Sequence, residues 1–302
     1  MKFSFTQDQR LFAEGLRDLL SKQCTPTHVR EAWENQTGHL PDLWSRLAEM
    51  GVLSMLVPES QGGMGGTLID AVLLFQELGR AAVPGPVLEH MAVAAPALAH
   101  TQWAHALNDG TTIATVWVDA NPYVAHAQVA NIILAHDSVI TDFSVDDVHG
   151  IDGGRQLFTV HTQSTTKASS EVFGLPASDV MALASAAYLI GVSEAMIEVA
   201  AEYARQREQF GKPIGSFQAV KHLMSDALLK VEFAKAPTYR AAWSASTGSP
   251  TVLRDISMAK ALASEAAYRA SRSTMQVHGG IGYTWEADLQ LSMKKSWGLT
   301  RS

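Results

Sequence analysis

The stretch Tyr203–His222 reads YARQREQFGKPIGSFQAVKH. It opens in a run with helical spacing and gathers Arg205 and Arg207 at that run's end. It breaks at Gly211, Pro213 and Gly215, then restarts with Ser216, Phe217 and Gln218. Pro cannot continue a helical hydrogen-bond ladder, and Gly accepts a positive φ. Cations near a helix C-terminus also meet the helix dipole favourably. By spacing alone this is a charged helix–loop–helix corner, which divides two long helices.

Working outward, Ala177–Arg207 is apolar on most faces and predicts a helix buried on several sides. Phe217–Thr247 and Thr251–His278 predict the next two helices, and Thr284–Trp297 a fourth. Long antiparallel helices with short connections make a four-helix bundle. The first hundred residues also read as helical. Thr6-Gln7-Asp8-Gln9 has the form of a capping box. Pro26 opens a short helix through Trp33. Pro41 opens another, with Gly51 as its C′ residue. The glycine-rich loop Pro58–Gly66 precedes a helix over Leu68–Arg80. Pro84-Gly85-Pro86 breaks that helix, and Ala92–Leu107 predicts a further helical stretch.

Near Gly110 the period changes. Thr111–Asp119, Val129–Leu134, Val139–Phe143 and Gln156–Thr162 are rich in β-branched residues, with a hairpin turn at His136-Asp137-Ser138. The fold class is therefore mainly α with a small β segment. We expect a helical N-terminal domain over 1–108, a reduced β domain over 109–165 and a C-terminal four-helix bundle over 166–302.

Composition narrows the function classes. Of 302 residues, 47% are hydrophobic and 18% charged, which describes a globular chain. A net charge of −7 disfavours nucleic acid and anionic membrane as partners. The one cysteine, Cys24, excludes an intrachain disulfide and fits a reducing, cytoplasmic setting. No signal peptide is expected at Met1, since a capped amphipathic helix follows. The nearly uncharged run Val180–Ser193 is too short to span a bilayer. No zinc-ligand spacing occurs in the sequence.

REQFGKPIGSFQAVKH, KVEFAKAPTYRAAW (Lys230–Trp243), MQVHGGIGYTWEADLQL (Met275–Leu291) and VPESQGGMGG (Val57–Gly66), in that combination, resemble the acyl-CoA dehydrogenase family. The resemblance covers both ends of the chain and leaves out the middle. It implies an FAD-dependent desaturation of an acyl-CoA thioester, with an electron-accepting flavoprotein downstream. It further implies that Arg207, Phe210 and Gln218 reach across an interface to the ADP half of a neighbouring subunit's FAD. Gln276, Gly279 and Gly280 are carried over in the same way, as a loop against the neighbour's adenosine. His278 is expected to be structural or flavin-adjacent. Val57–Gly66 lacks the Lys-Ser/Thr of a P-loop, and the resemblance implies a structural loop beside the acyl pocket.

Two features of the family pattern are missing. The reaction needs a carboxylate base to take the α-proton while the flavin takes the β-hydride. Counting without gaps, one family position for that glutamate falls just past Ser302, and the other falls on Met181. Asp179 is two residues away, about 200° around the helix. The Thr-Glu-Pro-Gly and Trp-Ile-Thr segments that wrap the isoalloxazine are also absent between Gly110 and Thr165. This pattern resembles the short subunit of heteromeric, actinobacterial steroid-degrading members, which are heterotetramers with half the usual flavins. A longer partner subunit would then supply base and flavin cradle. Two alternatives stay open. One is a self-sufficient enzyme using Asp179, Glu194 or the Ser302 carboxylate. The other is a cofactor-free helical interaction subunit.

Overall fold

The computed structural model describes residues 4–118 and 121–300. Three short helices open it: α1 (Gln7–Gln23), α2 (Pro26–Glu34) and α3 (Pro41–Glu49). Thr6 and Gln9 form the expected reciprocal capping box on α1. Gly51, at φ 79°, follows the end of α3 as its C′ residue. Helix α4 covers Leu68–Arg80, as the periodicity predicts.

The stretch expected as one helix from Ala92 is broken instead. After α5 (Val87–Glu89) come a π-helical turn (His90–Ala94), α6 (Ala95–Ala97) and, after an interruption, α7 (Ala104–Asn108). Pro96 lacks a backbone N–H, and the turn before it widens so that Ala95 donates to His90 O.

The β segment is larger than the sequence indicated. Strands β1 (Ala114–Val116), β2 (Val124–Ala125), β3 (Ile132–Ala135), β4 (Ser138–Ile140), β5 (Ser144–Val148), β6 (Leu157–His161) and β7 (Thr166–Lys167) form two sheets, ordered β1-β3-β4-β7 and β2-β6-β5. The expected strand Thr111–Asp119 shortens to β1, and Asp119 lies outside the described residues. The hairpin turn at His136-Asp137 is present, with Ala135 opposite Ser138. Strand β3 is buried on both faces. Ile132 and Leu134 face the main core, while Ile133 joins Ile140, Phe158 and Val160 in a second core between the sheets. A strand buried on both sides reads as a continuous apolar run, as Ile132-Ile133-Leu134 does.

Three long helices follow: α8 (Ala177–Gln206), α9 (Gln218–Ser246) and α10 (Val252–His278). Strands β8 (Glu208–Gln209) and β9 (Lys212–Pro213) form a small hairpin between α8 and α9. The bundle's fourth member, α11 (Leu289–Thr300), starts five residues later than its sequence period suggests. Trp285 instead packs against Trp33, with centroids 5.5 Å apart, between the cations of Arg30 and Lys294. Helix α8 is long and apolar enough to cross a bilayer, but 83% of its most apolar window is buried inside this fold.

Helices α4 and α8 join the N-terminal helices to the bundle, and they cross at two glycines. A Cβ on Gly191 would lie 1.8 Å from Gln76 O, and one on Gly79 would lie 2.1 Å from Tyr188 O. No rotamer relieves a clash with backbone, so any side chain there must push the helices apart. The N-terminal helices meet β1 through a buried aromatic file, His39–Trp44–His90, with centroids 5.4 and 4.9 Å apart. His90 Nδ1 accepts from the Ala114 N–H at 3.1 Å, so the ring proton sits on Nε2, which donates to Leu107 O at 3.0 Å. Burial pushes the pKa of both histidines down to about 4.

Two outcomes follow from this packing. Gly191→Ala should destabilise by about 3 kcal/mol and lower the thermal midpoint by several degrees. Gly298→Ala, whose Cβ would have only ordinary contacts at 3.9 Å, should leave the midpoint unchanged or raised. Circular-dichroism melts compare them. The second outcome concerns pH. His90 is neutral when folded and protonates near 6.5 when unfolded. Its contribution is therefore full above pH 6.5 and is lost progressively as pH falls toward 4, on the order of 3 kcal/mol in all. His90→Phe should flatten that part of the stability–pH curve, at lower absolute stability.

Candidate functional site

The corner singled out by the sequence stands on a small apolar base. Ala200 and Ala204 of α8 and Val277 of α10 are buried together under Ile214, Val220 and Leu223. The Tyr203 ring stacks on His278, with centroids 4.5 Å apart and planes 16° apart. His278 Nδ1 donates to Thr274 O at 2.8 Å, so this histidine is a fixed strut between two helix ends. The loops 207–218 and 276–280 are far apart in sequence, yet both rise from this base.

Beyond Arg207, the hairpin pairs Glu208 with Pro213 and Gln209 with Lys212. Phe210 and Gly211 make its two-residue turn, and both have positive φ, 53° and 76°. Such a turn matches the twist of paired strands but suits Asn or Gly at both positions. A phenylalanine there costs roughly 1 kcal/mol in backbone strain. Its side chain gains little in return, since Phe210 is 90% exposed and meets Phe217 edge-on at 6.1 Å. The loop then turns back over α8. Ile214 N–H donates to Arg207 O at 2.8 Å. A Cβ on Gly215 would come within 2.9 Å of Ala204 O, so only glycine fits there.

The two arginines of the corner differ. Arg205 is held by Glu202 at 2.5 Å. The Arg207 side chain is exposed and has no ion pair or hydrogen bond among the described residues. Gln218 is exposed as the first residue of α9, whose N-cap Phe217 supplies no side-chain acceptor. Gln276 is exposed on the last turn of α10. Gly279, at φ 61° and ψ −138°, occupies a region open essentially to glycine alone. A Cβ on Gly279 or Gly280 would meet nothing within 4 Å. The corner is therefore an open ledge. It offers a free guanidinium, two amides, an aromatic ring and bare backbone to a ligand laid on from outside. Guanidinium and backbone donors of this kind suit phosphate oxygens.

At the other end of α8 lie two clefts, of about 560 and 500 Å³, on either side of the end of β1. Met181 and Ser185 line the second. Asp179 lines neither. Glu194 is buried and bound by Gln76 at 2.8 Å, Arg80 at 3.0 Å and Lys235 at 2.5 Å, joining α4, α8 and α9. A carboxylate held by three donors and lining neither cleft is not placed to take an α-proton. Ser302 lies outside the described residues. Burial pushes the Cys24 thiol up to about 12, too high for a nucleophile at neutral pH. The Val57–Gly66 loop has a conformational role. A Cβ on Gly63 would lie 2.2 Å from Val57 O, and the loop lines neither cleft. The sequence reading missed the strained φ of Phe210, for which a Phe-Gly pair flanked by short polar runs was the available signal. It also missed the buried charges behind the second cleft, which come from distant segments.

Residues 177–300 match the family model for the acyl-CoA dehydrogenase C-terminal domain, and residues 6–102 match that for the N-terminal domain. Acyl-CoA dehydrogenase IpdE2 of Mycolicibacterium smegmatis is 35% identical over 300 residues, covering 97% of this chain and 93% of that protein. Among solved structures, the ChsE4–ChsE5 complex of Mycobacterium tuberculosis aligns with a TM-score of 0.85 at 25% identity, over 99% of this chain and 95% of that one. A variant described as the Tcur3481–Tcur3483 steroid ACAD shares the fold, with a TM-score of 0.88 at 21% identity over 97% of this chain and 93% of that one.

The state of Glu194 gives a direct test. Glu194→Gln should lower stability by about 1–2 kcal/mol, because Arg80 and Lys235 lose their shared buried partner and keep only Glu198 and Glu232 nearer the surface. It should leave flavin content and turnover of the purified assembly unchanged. Loss of turnover at an unchanged melting point would identify Glu194 as the base after all.

Proposed function

The chain belongs to the acyl-CoA dehydrogenase family, an FAD-dependent group of oxidoreductases, and on that premise we propose that it acts as one subunit of a hetero-oligomeric member. In this reading the chain lends its corner to FAD seated mainly in a longer partner, and the partner supplies the catalytic glutamate. The domain limits 1–108, 109–165 and 166–302 are part of the same proposal.

The observation that carries it is the length of α8. Twenty-six residues separate Met181 from Arg207, which at 1.5 Å per residue is roughly 39 Å. The corner lies at one end of that rod and the clefts at the other. A single extended FAD cannot lie on the Arg207 ledge and also bring its reactive ring to this chain's own cleft. A ledge so placed serves a nucleotide belonging to another chain.

The residues present fit the ADP half of FAD. Arg207 is unpaired among the described residues and matches a phosphate. Gly279 and Gly280 leave backbone open to a pyrophosphate. Phe210 presents an exposed ring, held out at a cost in strain, for an adenine face. When bound, the flavin accepts the β-hydride of the acyl thioester. In this chain Arg207 and Gln218 orient its phosphates, the glycine turn admits close approach, and the Tyr203–His278 stack keeps the two loops in register. Met181, where a base could have stood, cannot move a proton.

The acyl group proposed is a bulky polycyclic one, since a structural neighbour is described as a steroid acyl-CoA dehydrogenase. The electron acceptor proposed is a separate flavoprotein, and the proposed compartment is the cytoplasm.

Produced alone, the chain should be colourless. Co-produced with its partner, it should copurify with flavin absorbance near 450 nm. Arg207→Ala should then lower flavin per complex roughly tenfold under dilute conditions, with the melting point of the isolated chain unchanged. A yellow, active homo-oligomer of this chain alone would reject the proposal.

A further inference from the structure

Arg80, Arg155, Lys235 and Lys295 are drawn in from solvent, and each meets a carboxylate. Lys260, partly buried on α10, does not. Among the described residues its Nζ has only carbonyl partners. It donates to Leu299 O at 2.9 Å and to Thr300 O at 3.3 Å, at the end of α11. The charged group that acts on it is a second cation, Arg155.

An ammonium is poorly kept in that place. Burial first and Arg155 second disfavour the charge, and they bring Lys260 down to about 8. The carbonyl end of α11 favours the charge, but more weakly. At about pH 7.5, roughly a quarter of Lys260 is then neutral, against about one in a thousand for an ordinary lysine. The geometry accommodates the neutral form. An amine keeps two N–H bonds, enough for both carbonyls, and its lone pair is left without a partner. Desolvation beside another cation is one of the ways in which a lysine nucleophile is activated.

The electrophile at hand is the thioester of the family's own substrate class, acyl-CoA. We propose that Lys260 is a site of spontaneous N-acylation by acyl-CoA thioesters, and that acylation there loosens the end of α11. The Nζ lone pair adds to the thioester carbonyl carbon, and the C–S bond breaks. The thiolate leaves with the proton that the nitrogen gives up, so the products are an amide and the free CoA thiol, and no electron changes hands. The amide keeps a single N–H, so one of the two carbonyls loses its donor, and the positive charge at the helix end is gone. Trp297 and Gly298 of this last turn line the 500 Å³ cleft, so the change reaches its wall. The inference rests on family membership for its reagent and is independent of the ledge and of the partner subunit.

The test incubates the purified full chain with acetyl-CoA, native and in urea, and reads each lysine by peptide mass spectrometry. In the native chain Lys260 should be acetylated roughly tenfold faster than the exposed Lys167 and Lys221, the lower basicity of its amine offsetting part of the gain in neutral fraction. In urea the excess should vanish. Hydrogen exchange then reads the helix end. Amides of 297–300 should exchange roughly fivefold faster in the acetylated chain and in Lys260→Gln, and at the native rate in Lys260→Arg. Should Lys260→Gln fail to fold, the acetylated native chain decides. Acetylation of Lys260 no faster than of Lys221, or an equal excess in urea, would overturn the assignment of the site. Unchanged exchange in the acetylated chain would overturn the loosening of α11. Flavin loss in Arg207→Ala bears only on the ledge, so the two proposals fail separately.

Discussion

The contact on which this molecule depends is the close crossing of α4 and α8. Gly79 and Gly191 let two backbones approach within distances that no Cβ tolerates. Beside the crossing, Glu194 is gripped by Gln76 and Arg80 from one helix and by Lys235 from a third. The glycines set the distance and the charges set the rotation. A 30-residue helix fixed in this way becomes a rod to which both ends of the molecule are referred. One end lines the clefts and the other carries the corner.

Charge is handled differently at the two ends. Near the crossing and behind the cleft, each buried carboxylate is matched by at least one cation: Glu194 with Arg80 and Lys235, Glu89 with Arg155, and Asp152 with Lys295. An unmatched ion there would be costly, and burying pairs in place of apolar side chains brings specificity of arrangement more than stability. At the corner the opposite holds. Arg207 stands unmatched in water, where that costs nearly nothing. The same residue type thus serves as a clamp at one end of α8 and as an unused donor at the other.

Strain is distributed in the same way. The glycines of the Val57–Gly66 loop, Gly191 and Gly215 resolve close approaches that packing demands. Phe210 resolves nothing. It holds a positive φ with its ring in solvent, a conformation that the hairpin would adopt more easily with asparagine or glycine. Strain that does not serve packing invites a functional reading, as proposed above for this ring. It lies within the same loop as the free arginine and stands on the same base as the bare glycine pair.

By itself, the sequence determined the long-range order of the chain. Helical periods over Leu68–Arg80, 177–207, 217–247 and 251–278 are repeated over many turns, and the caps and breakers at their ends are local chemistry. Arg207, Phe210, Gln218, Gln276, Gly279 and Gly280 could be singled out from the sequence as well, because each belongs to a continuous motif. The tertiary structure decided the rest. The π-turn at His90–Ala94, the late start of α11 and the small strands β2, β5 and β7 depend on partners far away in the chain, which no local window contains. The meeting of the two corner loops on Tyr203 and His278 and the crossing at Gly79 and Gly191 are of the same kind. So is the matching of Glu89, Arg155, Asp152 and Lys295, drawn from three separate segments. Local preference is a property of neighbours in sequence, whereas burial, charge balance and close approach belong to neighbours in space, which exist only once the chain has folded.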